Sequence, residues 1–153
     1  MIVEYPDPSL TQVAQTVDFK QNVDNTIQTM YDEMDRQDAL GVAAPQMGFD
    51  QQIFVYHNRL NNERGCFINP ELIETEGRQD IVEGCLSVPG LRFKLGRYKY
   101  VTVTGYNEHW EKKTIIATGM TAQIFQHEID HLQGKLIINY LSRADRRKLK
   151  LKG

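Results

Sequence analysis

The 153-residue sequence has only two cysteines, Cys66 and Cys85, too few for a disulfide framework, and in a reducing compartment both are expected to be free thiols. Neither sign of charge dominates. Eighteen Lys and Arg face 20 Asp and Glu, for a formal net charge of -2, so no global field announces nucleic acid, and DNA is not expected as a partner. No apolar run is long enough to span a membrane. The opening Met1-Ile2-Val3-Glu4-Tyr5-Pro6 lacks the basic start and apolar stretch of a secretion signal, which makes the cytoplasm the expected compartment. There is no internal repeat, low-complexity tract or Gly/Ser linker, so residues 1–153 are read as one domain. Its end, 143–153, forms a basic tail in an otherwise net negative chain.

What is present is ordinary for a globular protein, with 41% hydrophobic and 25% charged residues. Apolar residues at Val23, Ile27, Met30, Tyr31 and Met34 have helical spacing and predict a helix within Asn22 to Asp38. The small-residue segment Leu40 to Gly48 then stops it, because Pro45 and Gly48 disfavour continuation. Strand-like runs follow at Ile53–Tyr56, Phe67–Ile73, Tyr98–Tyr106 and Thr114–Ala117. Cys66 opens an apolar run and reads as core packing. A second helix is expected from Thr118, as N-cap, to Gly134, as the residue past its end. A short last segment, from Ser142, carries capping-box-like spacing with Asp145. Helices among strands without regular alternation predict an α+β fold, with small antiparallel or mixed sheets packed around a central buried helix.

That helix carries the chemistry. Met120, Ile124, His127 and His131 share one face, Phe125, Ile129 and Leu132 form a second apolar stripe, and Gln126, Asp130 and Gln133 form a polar one. A helix apolar on two sides belongs in the centre of its domain, where two histidines are costly unless something binds them. His127-Glu128-Ile129-Asp130-His131 is an H-E-x-x-H sequence: ring nitrogens at i and i+4 reach one ion, and the Glu lies beside it. The bland alternative is a chance match on an exposed helix.

Two histidines supply two ligands, whereas catalytic sites use three and leave a position open for water. After His131 the chain contains no His, Cys or Glu, and its only Asp is Asp145, so a third ligand is sought upstream. Cys85, His57, His109 and several carboxylates qualify by type. His57 and His109 read as surface residues. Cys85 lies in Glu83-Gly84-Cys85-Leu86-Ser87-Val88-Pro89-Gly90, where Gly84 frees the backbone and Pro89-Gly90 is expected to turn the chain away. A buried, inert cysteine is the competing reading.

Three segments together, Gly41-Val42-Ala43-Ala44-Pro45-Gln46, Glu83-Gly84-Cys85-Leu86-Ser87 and Gln126-His127-Glu128-Ile129-Asp130-His131, resemble the peptide deformylase family in identity, order and separation. Tyr5-Pro6-Asp7-Pro8-Ser9-Leu10, Ile68-Asn69-Pro70-Glu71-Leu72 and Asn139-Tyr140-Leu141-Ser142 extend the similarity over nearly the whole chain. The resemblance implies a hydrolase that removes the N-formyl group from the initiator methionine of new polypeptides and releases formate. It implies Cys85, His127 and His131 as ligands of one divalent ion, iron(II) first, with zinc, nickel or cobalt as substitutes. Glu128 would move the protons, and the Gln46 amide and the Leu86 N–H would stabilise the oxyanion. Leu40, Ile81, Met120, Gln123, Ile124 and His127 would line the methionine pocket, with Gly41, Gly84 and Arg92 beside the substrate, while Asp130 would pair with Arg97. The family's related tails suggest the ribosome as a partner. Two residues depart from the pattern: Ala39 stands where Gly is usual, and Gln123 where an aliphatic residue is usual. Two rivals stand beside this reading, a metalloprotease and a binding protein with a structural metal.

Overall fold

The computed structural model describes residues 1–148. The elements run α1 (Asp24–Arg36), β1 (Gly41–Ala43), β2 (Ile53–Asn58), β3 (Glu63–Glu76), β4 (Gln79–Cys85), β5 (Val88–Arg97), β6 (Tyr100–Tyr106), β7 (Lys112–Thr118), α2 (Gly119–Leu132) and α3 (Arg143–Lys148), with short 3-10 turns at Pro8–Thr11, Ala44–Met47 and Ile137–Tyr140. One antiparallel sheet has the order β1-β2-β3-β6-β7, and β4 pairs with β5 in a separate antiparallel ribbon. This is the expected α+β architecture.

The sheet lies between two helices, and β2 shows why. Its run Ile53-Phe54-Val55-Tyr56 is apolar without a break because both faces are covered. Phe54 and Tyr56 join Phe67, Val101, Val103, Ile124, Phe125 and Leu132 in the core beneath α2. Ile53 and Val55 join Ile27, Met30, Met34, Val42 and Ile68 in the core beneath α1. Phe125 sits at the centre of the first cluster, its ring 4.8 Å from Tyr56, 5.4 Å from Phe67 and 5.7 Å from Phe54 between centroids. Cys66 is buried in the second cluster, as expected, and burial pushes its thiol up to about 12.

Two expectations need correction. The hairpin β4–β5 was not visible as strands, because Gly84, Pro89, Gly90 and Gly96 interrupt it. Its turn falls at Leu86-Ser87, not at Pro89-Gly90: Gly84 pairs with Arg92 and Cys85 with Val88, so Pro89-Gly90-Leu91 bulges out of β5 between those pairs. Gln126 is not part of a solvated stripe. It is buried, and its side chain accepts from the Tyr98 N–H at 2.8 Å and donates to the Tyr98 carbonyl at 2.9 Å, tying α2 to the residue that follows β5. Thr118 is the N-cap of α2, as expected, in an extended conformation, although its side chain makes no capping bond.

The far end of α2 is as read. Gly134 has φ of 75°, its N–H bonds the His131 carbonyl, and the Lys135 N–H bonds that of Asp130, a Schellman stop. A Cβ there would also lie 2.9 Å from the backbone of Thr11, so the position requires glycine twice over. At Ala39, where the family pattern has glycine, the left-handed conformation falls instead on Asp38 (φ 54°), and the Ala39 N–H closes α1 on the Met34 carbonyl. Of the tail, α3 is described, with Asp145 N–H on Ser142 Oγ at 3.1 Å; Leu149 to Gly153 lie outside the described residues.

Candidate active site

A cleft of about 920 Å³ opens where α2, the β4–β5 hairpin and the segment from Gln37 to Gly41 meet. α2 presents His127 to its floor and buries His131 one helical turn behind it, with their Nε2 atoms 3.2 Å from each other. β4 delivers Cys85 at its C-terminal end, Sγ 3.4 Å from His131 Nε2, and the three donor atoms all lie within 4.8 Å of one another. In a tetrahedral site, metal–ligand lengths of about 2.05 Å to nitrogen and 2.3 Å to sulfur separate two nitrogens by about 3.3 Å and nitrogen from sulfur by about 3.6 Å. The His127–His131 and Cys85–His131 separations therefore already stand close to the spacing that one ion imposes. His57 and His109 do not approach: His57 bonds Asn62, and His109 is exposed beside Glu108.

The electrostatics fit a cation. Burial opposes charge on both rings; at His127 the Cys85 and Glu83 partners override it and raise that ring well above its usual value, whereas His131 falls well below. One positive charge is thus drawn into the space between the thiol and the two imidazoles. Glu83 accepts from His127 Nδ1 at 2.8 Å, which orients the ring and turns its Nε2 toward that of His131. Two bonds from Arg97, both 2.7 Å, hold the same carboxylate. Burial would raise the Glu83 carboxyl, but Arg97 and His127 outweigh it and hold it at about 2. Arg97 continues to Asp130 at 2.7 Å and to the Tyr140 hydroxyl at 3.1 Å, so the expected Arg97–Asp130 pair is present as one arm of a larger buried network. Sequence reasoning missed Glu83 in this role. Its signal was the i, i+2 relation to Cys85, which on a strand puts both side chains on one face.

Glu128 is buried, its Oε1 without a hydrogen-bond partner among the described residues, and burial raises its carboxyl to about 7 against the pull of His127. Gly41 makes this placement possible, because a Cβ there would lie 2.7 Å from Glu128 Oε2. Gln46, buried in the turn Ala44–Met47, accepts from the Ala43 N–H through Oε1 at 3.0 Å. That bond fixes the amide so that Nε2 faces the site, 3.2 Å from Ser87 Oγ and 3.8 Å from Cys85 Sγ. Leu86 follows Cys85 in the hairpin turn and lines the cleft, as do Leu40, Gly41, Gly84, Arg92, Met120, Gln123 and Ile124. Ile81 is placed outside the wall. Its neighbour Val82 lines the cleft, whereas Ile81, paired with Leu95 in the ribbon, does not.

A family model described as polypeptide deformylase matches residues 1–147. The peptide deformylase of Dehalococcoides mccartyi is 38% identical over 148 residues, spanning 94% of this chain and 87% of that relative. Peptide deformylase 1 of Shewanella oneidensis is 37% identical over 153 residues, spanning 99% and 91%. The crystal structure of a peptide deformylase from Legionella pneumophila superposes with a TM-score of 0.91 at 33% identity, covering 98% of this chain and 90% of that one. With sequence and fold in agreement over nearly its full length, the chain belongs to the polypeptide deformylase family, metal-dependent hydrolases that remove the N-formyl group from newly made polypeptides.

Proposed function

We propose that Cys85 Sγ, His127 Nε2 and His131 Nε2 hold one divalent ion and that Glu128, Gln46 and Leu86 carry out deformylation beside it. The convergence of those three donor atoms within 4.8 Å of one another, with Glu128 Oε1 buried and unpartnered among the described residues, is the observation that carries the reading. Imidazole and thiolate suit iron(II) and zinc alike; iron(II) is the first choice, and zinc, nickel and cobalt fit the same donors. A divalent ion there supplies a Lewis acid and lowers the pKa of a water molecule toward neutrality. Glu128 takes the proton of the attacking water and returns it to the leaving amine as the formyl carbon–nitrogen bond breaks. Gln46 Nε2 and the Leu86 N–H donate to the oxyanion that forms on the formyl oxygen, each such donor lowering the barrier by about 3 kcal/mol. The methionine side chain enters between Leu40, Met120, Gln123 and Ile124, while Arg92, exposed on β5, lies along the peptide backbone.

Formate release from formyl-Met-Ala-Ser by anaerobically purified, iron-loaded protein tests the reading. The parent is expected to turn over, and Glu128→Gln is expected to keep its metal while losing about 10²–10⁴-fold in kcat. Activity of Glu128→Gln within a few-fold of the parent would remove the base from its role. Cys85→Ala is expected to lose the ion, as measured by elemental analysis.

Two further parts of the proposal concern where the enzyme works. Nascent formylmethionyl chains are its substrates, which assigns it to the cytoplasm. The exposed Arg143, Arg147 and Lys148 of α3 suit the phosphates of ribosomal RNA. Deleting residues 144–153 is then expected to leave peptide hydrolysis unchanged and to weaken ribosome association most at low salt.

A further inference from the structure

The wall that would receive the first side chain of a formyl peptide is apolar at Leu40, Leu91, Met120 and Ile124. Gln123 interrupts it. The residue precedes His127 by one helical turn on the same face of α2, a separation of about 6 Å along the axis, close to the reach of a methionine side chain from its own carbonyl. It lines the cleft and is half-buried, and its amide makes no hydrogen bond to another described residue. A glutamine carries two donors and an acceptor, and at the wall of the cleft that amide is available to whatever occupies the pocket.

On the deformylase reading above, we propose that Gln123 gives the first-residue pocket a hydrogen-bonding wall, so that the enzyme accepts formyl-methionine sulfoxide and discriminates methionine from its all-carbon isostere norleucine. The three side chains have nearly the same length and differ in what they offer the amide. The sulfoxide oxygen is a strong acceptor, the thioether sulfur a weak one, and the norleucine methylene none. A pocket that holds an unpaired amide penalises the side chain that cannot satisfy it.

The test compares kcat/KM for formyl-Met-Ala-Ser, formyl-Met(O)-Ala-Ser and formyl-Nle-Ala-Ser in the parent, Gln123→Leu and Gln123→Met. Calorimetric binding of the products Met-Ala-Ser and Met(O)-Ala-Ser to the same proteins adds a readout independent of turnover. The parent is expected to hydrolyse the sulfoxide peptide. In both variants the ratio of sulfoxide to methionine is expected to fall about tenfold, in kcat/KM and in product affinity alike, one neutral hydrogen bond's worth. The ratio of methionine to norleucine is expected to approach one. Turnover of formyl-Met-Ala-Ser with all ratios unmoved overturns the assignment of Gln123 alone. Failure of the metal-loaded parent to hydrolyse any formyl peptide overturns the deformylase reading and this proposal with it.

Discussion

Two residues at the site, Gly41 and Glu83, act by what they leave out or hold still. Gly41 contributes no atom to the chemistry, yet its missing Cβ is the space that the Glu128 carboxylate occupies. Gly41→Ala is therefore expected to push that carboxylate aside and lower kcat roughly 10²-fold, the usual consequence of displacing a catalytic group by about 1 Å. Metal content should be unchanged, because the ligands lie elsewhere; steady-state kinetics alongside elemental analysis checks both statements, and an unaltered kcat would show that Glu128 tolerates the shift. Glu83 works by constraint. Its bonds to His127 and Arg97 orient a ring that the backbone alone would leave free to rotate.

At the scale of the elements, α2 is held at three points along its length. The Schellman stop ends it at Gly134, Asp130 ties its last turns to Arg97, and Gln126 clamps its middle to both backbone groups of Tyr98. Gln126→Leu keeps the volume and removes the clamp, stranding a buried N–H and C=O. The expected loss is about 2–3 kcal/mol, read as a lower urea midpoint with little change in slope. A variant as stable as the parent would mean that the Tyr98 groups find other partners. The β4–β5 hairpin contributes in a different way. The bulge at Pro89-Gly90-Leu91 leaves Cys85 paired with Val88 at the tip of the ribbon, directly over the helix that carries the histidines.

For the whole molecule, the proposed ion site joins parts of the chain that are 46 residues apart, Cys85 on the hairpin and His131 on the central helix. Binding an ion to the folded form alone stabilises it by mass action, about 4 kcal/mol when the free ion is a thousandfold above its dissociation constant. Chelation is thus expected to lower the melting temperature of the parent in scanning calorimetry, and to leave that of Cys85→Ala unmoved. Equal melting temperatures with and without chelator in the parent would separate the ion from the fold. Among the described residues no helix is long and apolar enough to cross a membrane.

Local pattern was enough for whatever depends on near neighbours. Helical periodicity placed α1 and α2, the pairing of His127 with His131 follows from a 3.6-residue turn, and Gly134 marks a helix end because few other residues adopt its backbone conformation. The resemblance supplied Cys85 as the partner of the histidines, which spacing alone could not select over other side chains of the right type. Only the tertiary structure decided the contacts between distant segments. Gln126 looks like a surface residue until Tyr98 is brought beside it, and the strands of β4–β5 are hidden by glycines and a proline that serve a bulge. Glu83 becomes part of the site because the strand alternation that faces Cys85 to the cleft also carries the carboxylate to His127 and Arg97. Such contacts depend on how strands and helix pack, and packing is settled by burial of the whole core, not by any window of sequence.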